Sequence, residues 1–412
     1  MRYNLGLMDQ YPIEAAGSTI ENNPMYRVFF KQPIDPIRLE ESFLKAIKSY
    51  PLFGTKVAFD QEYYLIDNDK QLKIIKAKED ERPHNFGRNT NDYPWMVCYE
   101  GKKMTFEWLH GITDGAGALD FLKQMLVYYC KGAEVPKAKT LVAPGLEPFF
   151  DKNEKGINYA EEEEGFDIKN LPTLNRGYVS DYYCLKANTQ EILALAKNTK
   201  SSVAPIMAAL FAKALRMHLP ASCKNKNVAC NVVMDLRRPL NYATMHNCSE
   251  YKRITLTDYR NNLSYASLFK EYKRVLDEAR LKPNIIRIIT DRVKMFKMYH
   301  ILPFKPFLKF CVKMVGLLMK NRDCNFVLTY PGKIDLPDDI KDKIDNIDFK
   351  VWHDFGQCIL AAVDYEGNFN LNISINYQEK GIVEDFIKLS HGVGINWEVI
   401  ETGLMEQAHF EE

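Results

Sequence analysis

The sequence lacks the features that mark several large classes of protein. No uncharged apolar run approaches the ~20 residues that span a bilayer, and the segment Met1–Leu5 has no apolar core of a signal peptide. The net charge of +1 provides no general attraction to nucleic acid, so we expect no nucleic-acid partner. The nine cysteines form no C-x-x-C pair, which predicts free buried thiols in a reducing cytosol and a cytoplasmic protein.

Several catalytic motifs are also missing from the sequence. It contains no G-x-S-x-G, no Walker loop and no H-E-x-x-H. Residues 115–117 (Gly-Ala-Gly) begin like a dinucleotide-binding loop, but Asp120 occupies the position of the third glycine. We therefore expect no metal and no prosthetic group. Since neither a serine elbow nor a suitably placed cysteine is evident, we also expect no covalent intermediate on the protein.

The length and the patterning indicate a soluble protein with two domains. A chain of 412 residues divides naturally into domains of about 150–230 residues. Strand and helix patterns alternate, which predicts an α/β fold with a first half over 1–135 and a second half over 177–412. The residues between them, 136–176, carry four prolines and the acidic run Glu161–Glu164, a composition typical of a connector or surface loop.

Hydrophobic periodicity predicts the main elements of both halves. In the first half we expect a helix around Leu39–Ile47, a strand–turn–strand over 94–109 and a helix with apolar residues between Leu119 and Tyr129. In the second half we expect strands at Tyr178–Leu185 and Val228–Met234, helices at Thr189–Lys197 and Ala204–His218, a hairpin of Ile359–Tyr365 with Phe369–Asn376, and a closing helix at Ile382–Ile400.

The most informative segment is His110–Gly115, with the sequence H-G-I-T-D-G, between the predicted hairpin and the helix that follows it. Two glycines and two β-branched residues disfavour a helix here, so His110 and Asp114 are not expected to bind a metal from one helical face. A histidine at such a junction can point its imidazole into a cleft. The plain structural alternative is that His110 lies at a strand end with its ring hydrogen-bonded within the protein, and that Asp114 is only a helix N-cap.

The H-x-x-x-D-G pattern resembles the signature of the CoA-dependent acyltransferase superfamily. This group includes chloramphenicol acetyltransferase, alcohol O-acetyltransferases, plant BAHD acyltransferases and condensation domains of peptide synthetases. The resemblance implies two chloramphenicol acetyltransferase-like α/β sandwich halves, with mixed sheets flanked by helices and a tunnel at their interface. The order of the elements matches the monomeric members, in which only the first half carries the histidine.

The same resemblance implies roles for three residues of the segment. His110 would be the general base that takes a proton from the acceptor, and an ordinary imidazole pKa of about 6.5 suits this task. Asp114 would point away from the substrate and form a structural ion pair with an arginine. Gly115 has no side chain, so that the thioester could approach the backbone closely.

A second stretch, Asn231–Pro239, resembles the one that supplies this arginine in alcohol acetyltransferase-like proteins. It is an apolar strand that ends in Asp235-Leu236-Arg237. Arg237 is the first candidate to pair with Asp114, and Arg238 is the second, because a guanidinium binds a carboxylate through two parallel hydrogen bonds. The alternative is that Asp235 and Arg237 make only local contacts in solvent.

A third stretch, Asn325–Asp335, resembles the strand and loop of the form Ser/Thr-Asn-x-Gly, in which the hydroxyl faces the tunnel. Thr329 could therefore donate a hydrogen bond to the oxyanion of the tetrahedral intermediate. Tyr330 replaces the usual Asn, which departs from the family pattern. The alternative is that Thr329 merely ends a strand.

Residues 280–322 form a basic segment, with eleven Lys and Arg and the single acid Asp291. Lys305, Lys309 and Lys313 would lie on one face of a helix. An ordinary amphipathic helix with a solvated lysine face explains this pattern. Two functional alternatives are contact with CoA phosphates or an acidic partner, and docking on a membrane surface.

These observations predict an acyltransferase that moves an acyl group, first of all acetyl, from acyl-CoA to a small-molecule alcohol or amine. Alcohol O-acetyltransferase-like proteins fit best, and acyl-CoA would be the donor substrate. One alternative is a condensation-type enzyme whose donor is bound to a carrier protein. Another is a catalytically silent member that keeps the fold as a binding module.

Overall fold

The computed structural model describes most of the chain. The residues that it does not describe are 1, 7–8, 11, 14–22, 84, 133–144, 156–164, 167–178, 220, 300–309, 311–323, 352–357, 376–380, 407–408 and 412. Most of the predicted connector 136–176 and the later part of the basic segment 280–322 therefore lie outside the described residues.

Strands and helices alternate along the described chain. The strands are β1 Arg2–Asn4, β2 Pro24–Phe30, β3 Thr55–Asp60, β4 Glu62–Asp67, β5 Ile74–Lys76, β6 Asn85–Gly87, β7 Trp95–Glu100, β8 Lys103–Trp108, β9 Val179–Asn188, β10 Val228–Asp235, β11 Ser249–Leu256, β12 Phe326–Thr329, β13 Ile344–Val351, β14 Cys358–Tyr365, β15 Asn368–Ile375, β16 Glu398–Glu406 and β17 His409–Glu411. The α-helices are α1 Pro36–Ser49, α2 Gly115–Lys131, α3 Thr189–Asn198, α4 Val203–Met217, α5 Arg237–Leu240, α6 Asp258–Asn261, α7 Tyr265–Ala279, α8 Lys282–Tyr299, α9 Asp338–Lys341 and α10 Ile382–His391.

The first large sheet carries the hairpin that precedes His110. Its strand order is β13-β2-β8-β7-β5, and only the β5–β7 pair is parallel. Because side chains alternate along a strand, one face of the sheet presents aromatic rings that pack on α1 and α2. Phe53 stacks on Phe121 with ring centroids 3.8 Å apart, and Trp95 and Phe106 meet the same ring at 5.9 and 5.7 Å. This aromatic core holds β8 and α2 on both sides of the His110 turn.

The second large sheet has the order β11-β10-β12-β14-β15-β9-β16. Strands β10, β12 and β14 are parallel to one another, so their carboxyl ends meet at one edge of the sheet. Asp235 ends β10 and Thr329 ends β12, which places both residues at this edge. Helix α4 covers the sheet and is buried along most of its length, as its continuous apolar sequence predicts.

The second half contributes a strand to the first large sheet. Strand β13 belongs to the second half in sequence, yet it pairs antiparallel with β2 in the first sheet. This pairing places Phe349 opposite Tyr26, and their rings stack with centroids 4.7 Å apart. The predicted division at 135 and 177 did not include this pairing, and those boundaries stay a prediction.

The α/β class and the two-lobed arrangement of mixed sheets with flanking helices are confirmed, whereas the tunnel between the halves stays a prediction. The hairpin over 94–109, the helices on both sides of it and the hairpin of β14 with β15 are also confirmed. The closing helix at Ile382–Ile400 is wrong beyond His391. Gly394 adopts a φ of +90°, which ends helical geometry, and the β-branched Val399 and Ile400 lie in edge strand β16 beside β9.

The eight cysteines that the structure describes are free and buried. Burial raises the pKa of the Cys98 and Cys184 thiols to about 12, so neither is an activated nucleophile. The ninth, Cys311, lies outside the described residues. Among the described helices, none combines the length and the apolar character that crossing a membrane requires.

Candidate active site

His110 begins the turn that connects β8 to α2. The turn is held at both ends, because the Leu109 amide donates to Pro94 O at 2.9 Å and the Trp108 indole Nε1 donates to Thr113 O at 3.1 Å. The His110 side chain is half-buried, and its Nδ1 is buried without a hydrogen-bond partner among the described residues. The backbone is therefore fixed while the imidazole has no protein partner in the part of the chain that the structure describes.

Asp114 is the N-cap of α2 and is buried. Its Oδ1 accepts from the Gly117 amide at 3.0 Å, and its Oδ2 accepts from the Cys248 amide at 2.9 Å. Arg237 adds two parallel bonds, from Nη1 to Oδ2 at 2.8 Å and from Nη2 to Oδ1 at 2.9 Å. Burial by itself raises the pKa of Asp114, but the Arg237 charge and these hydrogen bonds hold that pKa below its ordinary value.

Arg237 uses all five of its N–H donors. Besides the two bonds to Asp114, its Nε donates to Thr244 O at 3.0 Å, Nη2 to His246 O at 2.9 Å, and Nη1 to Asp235 Oδ1 at 3.0 Å. The structure thus brings together three of the residues singled out in the sequence. Arg238, the second candidate, is exposed.

The loop 244–248, which precedes β11, binds the His110 turn and was missed by sequence reasoning. Asn247 Nδ2 donates to His110 O at 2.8 Å, and Thr113 Oγ1 donates to Met245 O at 2.6 Å. Met245 itself is buried in the core of the first half. The sequence of this loop, Thr-Met-His-Asn-Cys, contains no pattern that identifies a partner.

Two glycines of the motif region differ in how closely they are packed, which yields a first prediction. A Cβ at Gly117 would lie 2.1 Å from Thr113 Oγ1 and 2.8 Å from Met245 O, whereas at Gly115 the nearest atom is a Phe349 ring carbon at 3.5 Å. We expect Gly117→Ala to lower the free energy of unfolding by about 1–3 kcal/mol because it overpacks this contact.

The matched variant Gly115→Ala should change the free energy of unfolding by less than about 0.5 kcal/mol, since its Cβ meets only ordinary van der Waals contacts. Urea denaturation of both variants measures the difference. Equal stability of the two variants would contradict this account of the contact between the motif and the loop 244–248.

The third stretch lies beside the motif. Pro331 Cγ is 3.7 Å from the position that a Cβ on Gly115 would occupy. Thr329 is half-buried at the end of β12, and no hydrogen bond engages its hydroxyl among the described residues. Tyr330 packs against Phe369 with ring centroids 5.4 Å apart, and burial raises its pKa to about 12. Tyr330 therefore belongs to the packing of the second half.

Cations of the described part of the basic segment 280–322 contact other parts of the protein. Arg292 is buried and its Nε contacts Glu250 Oε1 at 3.1 Å, while Lys297 Nζ lies 4.4 Å from the centre of the Phe150 ring. Lys282, Arg287 and Lys297 are exposed, so α8 has the solvated cationic face of an ordinary amphipathic helix, and Arg292 is its buried exception. Lys305, Lys309 and Lys313 lie outside the described residues, and membrane docking stays a prediction.

Solved structures with a similar fold were found, although the sequence comparisons found no match. No protein-family model matches the sequence, and no curated protein matches it. Among solved structures, TRI101 of F. graminearum complexed with ethyl coenzyme A is 11% identical and has a TM-score of 0.64, and the match covers 96% of this chain and 99% of that chain. TRI3, a trichothecene 15-O-acetyltransferase from Fusarium sporotrichioides, is 13% identical and has a TM-score of 0.58, with 95% and 94% covered.

A third similar structure is the epimerization domain from the third module of tyrocidine synthetase B. It is 11% identical and has a TM-score of 0.64, and the match covers 95% of this chain and 97% of that chain. The chain therefore has the fold shared by CoA-dependent acyltransferases and the condensation-type domains of peptide synthetases. At these identities the likeness shows the fold alone.

Proposed function

We propose that this protein is a CoA-dependent acyltransferase that transfers an acyl group, first of all acetyl, to an alcohol or amine, with His110 as the general base. The observation that carries the proposal is the combination at His110 of a fixed backbone and an imidazole without a described partner. A neutral imidazole held in this way can accept a proton. The fold that the chain shares with TRI101 and TRI3 supports the choice of donor and of acceptor class.

The residues of the site account for the steps of such a transfer. His110 takes the proton of the acceptor hydroxyl or amine as the acceptor attacks the thioester carbonyl carbon. When the tetrahedral intermediate collapses, the carbon–sulfur bond breaks and CoA leaves as a thiol with the proton from the imidazolium. Thr329 Oγ1 is the proposed donor to the oxyanion. Asp114 takes no part in proton transfer, because its oxygens already accept four hydrogen bonds.

The second candidate is a condensation-type enzyme whose acyl donor is bound to a carrier protein. The similar structure from tyrocidine synthetase B is an epimerization domain, so it supports this candidate only through a fold that also occurs in peptide synthetases. A catalytically silent binding protein is a third candidate, and thermal stabilisation by CoA without turnover would identify it. A cytoplasmic location is part of the proposal.

The test is acceptor-dependent release of free thiol from acetyl-CoA and longer acyl-CoAs, with a panel of alcohols and amines. We expect release with at least one donor–acceptor pair and none without acceptor. Donors loaded on a holo-carrier protein form a second arm of the experiment. Transfer from the carrier alone would select the condensation-type enzyme, and no transfer from either donor would contradict the proposed function.

A further inference from the structure

Asp9 is a buried carboxylate that lies shortly after β1, far in sequence from the catalytic motif. Its exposed fraction is 0%. Its Oδ2 accepts from the Gly6 amide at 3.0 Å and contacts His246 Nδ1 at 3.0 Å. Its Oδ1 accepts from the Asn247 backbone amide at 2.9 Å and from Asn247 Nδ2 at 2.8 Å. Three of these four bonds come from the loop 244–248.

Asn247 connects this carboxylate to the residue proposed as the base. One N–H of its side-chain amide is directed to Asp9 Oδ1 and the other to His110 O, both at 2.8 Å. Because an amide group is planar, fixing one of its N–H bonds also fixes the direction of the other. Asp9 therefore determines where the His110 carbonyl is held.

A second route reaches the other end of the motif. His246 contacts Asp9 through its ring, and its backbone oxygen accepts from Arg237 Nη2 at 2.9 Å. Arg237 in turn binds Asp114. Two adjacent residues of one loop thus connect Asp9 to both His110 and Asp114.

The charges around His246 agree with this arrangement. The charged groups that face it are Asp9, Glu147 and Arg237. Burial by itself lowers the pKa of His246, but Asp9 raises it above its ordinary value. Where the His246 imidazole is protonated, its charge and that of the Asp9 carboxylate compensate each other inside the protein, where an uncompensated charge would be strongly unfavourable.

The segment that carries Asp9 also packs directly on the turn. A Cβ at Gly111 would lie 2.8 Å from Asp9 O and 2.3 Å from Ile13 Cγ1. Only glycine fits at position 111 against this segment. A shift of the backbone around Asp9 must therefore move the turn. Hydrogen bonds and packing therefore couple the same two elements.

We propose that Asp9 is a positioning residue for the acyl transfer, and that it aims His110 through the side chain of Asn247. This inference rests on the proposed function, but the geometry on which it depends does not. Asp9 is not proposed to contact the acyl donor or the acceptor. Its removal should therefore lower the turnover number and leave substrate binding nearly unaffected.

The experiment compares Asp9→Asn, Asn247→Ala and the double variant in the full-length protein. We expect each single variant to lower kcat by about 10- to 100-fold, the order of loss that a small misplacement of a catalytic group produces. KM should change by less than about 3-fold. The loss in the double variant should be smaller than the product of the two single losses, because both changes break the route through Asn247. Losses that multiply in the double variant would overturn the proposal.

The matched control is Asp385→Asn, which removes another Asp–His contact, from Asp385 Oδ2 to His218 Nε2 at 2.9 Å, between α10 and the end of α4. It should leave kcat unchanged. If Asp9→Asn does not fold, the kcat of Asn247→Ala tests the proposal instead. This variant keeps the bonds from Gly6 and His246 to Asp9, so the buried carboxylate retains partners. Wild-type kcat in folded Asn247→Ala would overturn the proposal.

A second readout does not depend on turnover. With labelled histidines, the ring signal of His110 is the one that disappears in His110→Ala. We expect Asp9→Asn and Asn247→Ala to shift that signal and Asp385→Asn to leave it in place. If the wild-type protein transfers no acyl group, but the His110 signal shifts in Asp9→Asn and Asn247→Ala, the proposed function is contradicted and the positioning role is retained. An unshifted signal would overturn the positioning role.

Discussion

Replacing His110 with alanine should reduce kcat/KM for acyl transfer by about 10²–10⁴-fold, the usual contribution of a positioned general base. The fold should persist, because His110 is anchored through its backbone oxygen, which alanine keeps. The side chain is only half-buried and its Nδ1 bonds to no described residue. We therefore expect the free energy of unfolding to change by less than about 1 kcal/mol.

The measurement is thiol release under saturating acceptor, together with urea denaturation of the same protein. His391→Ala is the matched control, since His391 is exposed at the end of α10. It should keep full activity. If His110→Ala retained more than about a tenth of wild-type kcat/KM, the proton would have another acceptor and His110 would not be the base.

Arg237→Met should produce the largest loss of stability. It leaves the buried Asp114 carboxylate without its charge partner, and breaking a buried pair in this way costs about 3–5 kcal/mol. It also removes the bonds to Thr244 O and His246 O that hold the loop 244–248. Activity should fall with stability, because the same loop holds His110. Arg237→Lys should restore neither the stability nor the activity, since an ammonium offers three donors where the arginine uses five.

Urea denaturation monitored by circular dichroism measures this loss. Arg238→Met is the control, because the neighbouring arginine is exposed, and it should change the free energy of unfolding by less than about 0.5 kcal/mol. Adding Asp114→Asn to Arg237→Met should recover part of the lost stability, because no uncompensated charge then remains. Strictly additive losses would show that the two side chains do not act as a pair.

The loss caused by Arg237→Met should also depend on pH. In the wild type the pKa of Asp114 lies below its ordinary value, so the pair stabilises the protein above the unfolded pKa of about 3.9. This contribution disappears as the pH falls towards the lower folded pKa. In Arg237→Met the positive charge that lowers the pKa of Asp114 is lost, while burial, which raises that pKa, and the bonds from the Gly117 and Cys248 amides, which lower it, remain. The difference in the free energy of unfolding between the wild type and Arg237→Met should therefore decrease as the pH falls through the acid range. A constant difference would show that the Asp114–Arg237 ion pair is not its source.

The sequence by itself determined the local frame of the candidate site. Two strand-forming runs on either side of a four-residue loop with Gly101 predicted the hairpin, and helical spacing from Leu119 onward predicted α2. The sequence also predicted His110–Gly115 at the junction of this hairpin and α2, and it offered the N-cap role of Asp114 as an alternative. These features were predictable because each depends on residues close together in the chain, where propensity and patterning act directly.

The closing helix shows the limit of such reasoning. Residues after His391 keep an apolar pattern that suits a helix, but they form strand β16 because β9 offers an edge with which to pair. Strand β13 likewise reads as an ordinary strand, and only tertiary pairing decided that it joins the first sheet. Pairing partners distant in sequence override local preference.

Only the tertiary structure decided how the site is held together. Arg237 and Asp114 are 123 positions apart, and Asn247 is 238 positions from Asp9. No local pattern distinguished Arg237 from Arg238, because the choice depends on the direction in which the chain leaves β10. Nothing near Asp9 in the sequence marks it, because three of its four bonds come from the other half of the protein. Hydrogen bonds across such separations form only once both sheets are packed, and for that physical reason they leave no periodic trace in the sequence.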